Sequence, residues 1–97
     1  MSGDRIIRRR YRFGGSVQGV GFRYRAKWAA HAAGVTGWVN NDWDGSVSME
    51  VQGTTDEIEQ VLAGISRGMF IQIETTQVWN IEPVEDERSF VVTDDDW

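Results

Sequence analysis

From Ile6 to Phe13 apolar and polar side chains alternate as in a strand, with Ile7, Arg9, Tyr11 and Phe13 on one face and Ile6, Arg8, Arg10 and Arg12 on the other. The period then changes. Phe22, Ala26, Ala29, Ala30 and Ala33 recur at helical spacing, and Gly34 stands where a left-handed cap would end a helix over Phe22 to Ala33. Two short strand-like runs follow, Thr36 to Asn41 and Ser46 to Gln52, around the turn formers Asn41-Asp42-Trp43-Asp44-Gly45. This predicts a hairpin. Thr54 with Glu57 is a capping box, and Ile58, Val61, Leu62 and Ile65 mark one face of a second helix that Gly68 is expected to close. Met69 to Ile73 has no clear period, Thr75 to Ile81 reads as a strand, Pro83 to Glu87 as a loop, and Ser89 to Thr93 as a last short strand. The order βαββαβ plus one strand predicts an α+β fold. Burial is simplest as a two-layer, ferredoxin-like sandwich, with both helices on one face of a mostly antiparallel sheet.

With 97 residues and no repeats or low-complexity tracts, the chain is expected to form a single domain over 1–97, frayed at 1–4 and 94–97. There is no run of about 18 apolar residues to span a membrane, nor an apolar stretch behind the basic start to act as a signal peptide, so a cytoplasmic protein is expected. Cysteine is absent and His31 is the one histidine, which excludes disulfides, thiolate nucleophiles and multi-histidine metal centres. Charge is uneven. Residues 1–28 hold eight Arg or Lys against one Asp, and residues 29–97 hold two against fourteen acids. A basic first third in an acidic protein favours a small anion over a long polyanion.

The candidate chemistry lies in Gly15-Ser16-Val17-Gln18-Gly19-Val20-Gly21, just before the first helix. Gly15, Gly19 and Gly21 can take positive φ, letting several N–H groups converge on an anion at a helix N-terminus, and Arg23 in the first turn can grip two oxygens with its planar fork. Glycine loops also occur between strand and helix for steric reasons alone, so these residues by themselves leave both readings open.

GSVQGVGFR followed by GWVNNDWDGSVSMEVQG resembles the paired signatures of the acylphosphatase family. Gly15, Val17 to Val20, Phe22 and Arg23 fit the first, and Gly37, Trp38, Val39, Asn41, Gly45, Val47 and Gly53 fit the second. Phe13 stands where Leu, Ile or Val is usual, and Asn40 where Lys, Arg or Gln is common. The resemblance implies hydrolysis of acyl phosphates to a carboxylate and inorganic phosphate, without metal, organic cofactor or covalent intermediate. The amides of residues 15–21 and the Arg23 guanidinium would hold the phosphoryl oxygens, and the Asn41 amide would hold the attacking water. The leaving acyl group need only project toward solvent. A larger hydrogenase-maturation protein carries a similar domain ahead of cysteine-rich zinc modules, so a cysteine-free chain of this length is expected to be the free-standing form, a monomer with no nucleic-acid or membrane partner.

Two other classes compete. A non-catalytic phosphate-binding module would keep the loop and Arg23 but need not keep Asn41. An RNA-binding module is suggested by Arg8, Arg9, Arg10 and Arg12 beside Tyr11 and Phe13, but the third strand, SVSMEV, lacks an aromatic stretch, and a solvated strand face is expected instead. Asp42 and Asp44 are expected to be turn formers rather than an acid–base pair, and Trp43, close to Asn41 at the hairpin tip, to lie over the hairpin rather than contact the acyl group of a substrate. His31 is expected on the surface, Trp28 and Trp38 to pack, and Tyr24 either to line the pocket mouth or to cover the helix.

Overall fold

The computed structural model describes residues 5–93, so the ends expected to fray lie outside the described residues. Along the chain run β1 (Ile7–Ser16), α1 (Phe22–Ala33), β2 (Thr36–Asn41), β3 (Val47–Gly53), α2 (Thr55–Ser66), β4 (Gln72–Ile81) and β5 (Phe90–Thr93). The strands form one sheet in the order β4-β1-β3-β2-β5. All its pairings are antiparallel except β2 with β5, which is parallel. This is the ferredoxin-like α+β arrangement with an extra strand added beside β2.

The alternation in β1 sends Tyr11 and Phe13 into the core, where their rings stack at 5.5 Å and Phe13 meets Phe22 of α1 at 5.1 Å. Alanine lets α1 sit close to its neighbours: Ala26 and Ala30 are fully buried. A Cβ built on Gly64 of α2 would come within 2.8 Å of the Ala29 Cβ, so the two helices approach more closely than larger side chains would allow. α2 starts on its capping box, with the Glu57 amide donating to Thr54 Oγ1 at 3.2 Å and the Thr54 amide to Glu57 Oε1 at 2.9 Å. Such a cap contributes about 1 kcal/mol. Ile58, Val61 and Ile65 then seal the core. α1 ends as expected on Gly34 in the left-handed region, whereas α2 ends on Arg67 in a right-handed conformation, and the buried Gly68 lies beyond it against Ile71 and Arg25.

On the face of the sheet away from the helices, Arg8, Arg10 and Arg12 are each paired with carboxylates. Arg8 is buried where the sequence predicts a solvated side chain, while Arg10 and Arg12 stay partly exposed. Arg8 is 2% exposed: its Nε donates to Glu50 Oε1 at 2.9 Å, and its terminal nitrogens to Glu87 at 2.7 and 3.2 Å and to Gln52 at 3.1 Å. The loop between β4 and β5 lies across this face, pinned where Gln52 exchanges hydrogen bonds with the Val84 backbone. Burial would raise the Glu87 pKa, but hydrogen bonds from Arg8 and Thr36 and the Arg8 charge outweigh it and hold the carboxyl below its usual range. Arg10 donates to Glu50 Oε2 at 2.8 Å and covers the half-buried Trp38 ring at 5.4 Å, and Arg12 pairs with Asp44.

Candidate active site

β1 runs three residues past its apolar alternation, because the backbone of β4 supplies partners for Gly14, Gly15 and Ser16. A bulge falls between Gly14 and Gly15. Gly15 has φ 123°, and a Cβ there would run into the Gln72 carbonyl oxygen, so the bulge requires glycine. Beyond it the chain turns through Val17 to Gly21 into α1. Gly19 and Gly21 take φ values of 73° and 85°, and no side chain caps the helix start. The first amides of α1 are therefore left to a ligand or to water.

A pocket of about 200 Å³ opens at this helix start, lined by Val17, Gly19, Gly21, Phe22, Arg23, Tyr24 and Asn41. Residues 18 positions apart in the chain, Arg23 and Asn41, thus share one cavity. Gly15 and Ser16 stand outside it as the end of β1, and Gly15 lines a separate polar cavity with Arg12 and Asp44. Val20 packs against the core.

Arg23 is half-buried, and its Nη1 donates to the Thr93 carbonyl at 2.9 Å, so the last strand braces the guanidinium. The Thr93 hydroxyl is itself tied to β2, 2.6 Å from Asn40 Oδ1 and 3.1 Å from the Val39 carbonyl. Asn41 ends β2, opposite Val47 of β3. Among the described residues its side-chain amide takes part in no hydrogen bond, leaving both its donor and acceptor for a guest in the pocket.

Two contacts invisible to sequence reasoning join the halves of the site. The Gln18 side-chain amide donates to the carbonyls of Asp42 and Ser46, at 2.6 and 2.8 Å, clamping the glycine loop to the hairpin that carries Asn41. The second is the Thr93 brace on Arg23. Both end on backbone carbonyls, which every residue has, so no residue type at the accepting position could have signalled them.

The hairpin acids are structural. Asp42 accepts from Ser48 at 2.6 Å and lies 2.9 Å from the Ser46 hydroxyl, and Asp44 accepts from the Ser46 amide at 3.1 Å. Hydrogen bonds from the Ser46 hydroxyl and amide, with the nearby Arg12 charge, hold the Asp44 carboxyl below its usual range. Neither acid lines the pocket with Arg23. Trp43 is 96% exposed and projects from the hairpin instead of lying over it. Trp28 is 53% exposed and does not pack in the core, while Tyr24 lines the pocket mouth and His31 is on the surface.

A family model described as Acylphosphatase matches residues 9–92. The chain belongs to the acylphosphatase family. Over 54 residues it is 52% identical to the acylphosphatase of Bordetella parapertussis, a match covering 56% of this chain and 57% of that one. The chain thus spans little more than half the length of the first curated relatives it matches. A match of 40% identity to the acylphosphatase of Geobacillus kaustophilus is longer, covering 78% of this chain and 82% of that one. The crystal structure of acylphosphatase from Bacillus subtilis superposes with a TM-score of 0.82 at 27% identity, covering 90% of this chain and 98% of the other. Of the two signature segments, Val17, Gly19, Phe22 and Arg23 from the first and Asn41 from the second line the pocket.

Proposed function

We propose that this protein hydrolyses the carboxyl-phosphate bond of acyl phosphates, releasing a carboxylate and inorganic phosphate. The observation that carries the reading is the pocket of about 200 Å³ in which Arg23, Asn41, Gly19 and Gly21 meet at an uncapped helix start. The loop amides and the Arg23 fork hold the three peripheral phosphoryl oxygens, and Thr93 fixes the angle of the fork. Charge spreads over these oxygens as the reaction proceeds, so donors already in place stabilise it without reorganising. Asn41 holds a water through its amide, in line with the bond to be broken. The water oxygen bonds to phosphorus as the P–O bond to the carboxyl group breaks, and the leaving carboxylate keeps the electron pair. An amide is no base at neutral pH, so the water's proton passes to a phosphoryl oxygen. A good leaving group makes this sufficient.

In this reading the site residues are Arg23 and Asn41 with the loop from Val17 to Gly21, Gly15 and Ser16 serving as the end of β1 that leads into it, and the chain acts as one domain, a cytoplasmic monomer. Nucleic acid is a poor partner because Arg8, Arg10 and Arg12 are each engaged by carboxylates. Among the described residues no helix is long and apolar enough to cross a membrane.

The test is a spectrophotometric benzoyl phosphate assay, with and without a chelator. Losing one preorganised donor costs about 3–4 kcal/mol of barrier, so Arg23→Ala should fall at least 100-fold, to about 1% or less of wild-type turnover. Asn41→Ala should lose turnover while inorganic phosphate still binds. Wild-type rates in Arg23→Ala would refute the role of the guanidinium, and chelator sensitivity would refute the metal-free mechanism. Binding of phosphate with no turnover by the wild type would leave a non-catalytic phosphate module.

A further inference from the structure

Tyr24 belongs to two cavities at once. One side lines the pocket that holds Arg23 and Asn41, and the other begins a groove of about 390 Å³ between α1 and α2, lined further by Arg25, Trp28, Ala29 and Gly64. We infer that this groove receives the acyl group of the substrate and favours acyl phosphates that carry an aromatic ring a few bonds beyond the carboxyl carbon. The inference rests on the phosphoryl-pocket reading above and deepens it.

The walls are aromatic and prearranged. Tyr24 and Trp28 are 67% and 53% exposed, which is unusual for two large rings side by side on a small domain. Their centroids lie 6.1 Å apart at 70°, an edge-to-face pair. Trp28 is braced in turn by His31 at 5.8 Å and by Lys27, whose ammonium lies 5.8 Å from the ring centroid. A third planar group stands at the groove: Arg25 donates its Nε to the Gly64 carbonyl at 3.0 Å, which fixes the guanidinium plane. Guanidinium faces stack on rings. The floor is kept open by Ala29 and Gly64, whose close approach leaves no room for a side chain at Gly64.

Distance selects the length of the acyl group. Trp28 follows Tyr24, the residue the two cavities share, by four residues on the same helix face, about 6 Å further along the axis, so an acetyl group held at the pocket does not reach it. A benzoyl ring meets Tyr24, and a phenylpropanoyl ring spans to Trp28. Contacts to the ring are made equally in the ground state and the transition state, so they should show mainly in KM.

The experiment compares acetyl phosphate with phenylpropanoyl phosphate on the full chain and on Trp28→Ala. Their parent acids have nearly the same acidity, so the ratio of the two kcat/KM values reports binding rather than leaving-group quality. Wild type should favour phenylpropanoyl phosphate about tenfold or more, and Trp28→Ala should lose most of that preference through KM, in keeping with the worth of an aromatic contact. Tyr24→Leu, which keeps apolar bulk without the ring, should lose preference too. A non-hydrolysable phenyl-bearing ketophosphonate should shift the Trp28 indole N–H resonance, with near-UV circular dichroism confirming that each variant is folded. A ratio near one in wild type, or a ratio unchanged in both variants, overturns the groove assignment while Arg23-dependent hydrolysis of acetyl phosphate stands. Failure of wild type to hydrolyse either compound overturns the activity itself, and the groove assignment with it.

Discussion

Gln18→Ala separates the two halves of the site without removing any group proposed to touch substrate. In the wild type its side-chain amide bridges the carbonyls of Asp42 and Ser46 at 2.6 and 2.8 Å. A neutral hydrogen bond contributes about 1 kcal/mol net, so two give about 2 kcal/mol. Two effects reduce this. The Asp42 carbonyl still accepts from the Gly45 amide at 3.2 Å and the Ser46 carbonyl from the Asp42 amide at 2.8 Å, so neither is orphaned. Alanine also avoids the rotamer entropy, up to about 1.5–2 kcal/mol, that a glutamine side chain loses when it is held in place. Urea unfolding should therefore show a loss of only about 1 kcal/mol. The effect on turnover should be larger, because a shift of about 1 Å between bound phosphoryl group and positioned water can cost about 100-fold. The expected pattern is a kcat lowered about 10–100-fold, with inorganic phosphate inhibiting about as well as before. A kcat within twofold of wild type, at the predicted loss of stability, would refute the claim that this clamp sets the geometry between loop and hairpin.

Gly15→Ala should cost at least about 1–3 kcal/mol in urea unfolding, because φ 123° strains any L-residue and the new Cβ meets backbone of β4. Glu87→Gln tests the ion pair on the open face. The folded-state pKa of Glu87 lies below the ordinary 4.5, so its contribution is present at neutral pH and fades as pH falls through the depressed value. The variant should lose about 1.5–3 kcal/mol at pH 7, since a hydrogen-bonded charge is weakened while Arg8 keeps Glu50, and should show a shallower acid limb than wild type. Thr93→Val removes the hydroxyl that ties β5 to Asn40 and Val39 and should raise KM for acyl phosphate several-fold through a looser Arg23, with unfolding stability changed by about 1 kcal/mol or less.

Elements governed by local spacing are legible in the sequence. α1 occupies the Phe22 to Ala33 span that its alanines and Gly34 predict, and α2 begins on the Thr54–Glu57 box. Elements governed by a distant partner are not. β1 continues through Gly14 and Gly15, residues that read as loop, because β4 supplies the hydrogen bonds, and β4 correspondingly starts at Gln72, three residues before its apolar pattern. Arg8 reads as solvated because strand alternation says only which face a side chain is on, whereas its burial is set by Glu87, 79 residues away. At the site, Arg23 and Asn41 are legible as residue types in a spaced pair of signatures. The clamp by Gln18 and the brace at Thr93 are not, since each depends on where a carbonyl lies in space.

The brace on Arg23 comes from the final strand of the described fold, 70 residues further along the chain. A polypeptide emerging from the ribosome therefore has its glycine loop, Arg23 and Asn41 long before it has Thr93. Long-range pairing of this kind is slow compared with helix formation. Catalytic competence should thus appear late in biogenesis, and turnover measured on stalled nascent chains would report the docking of β5 rather than the folding of the loop.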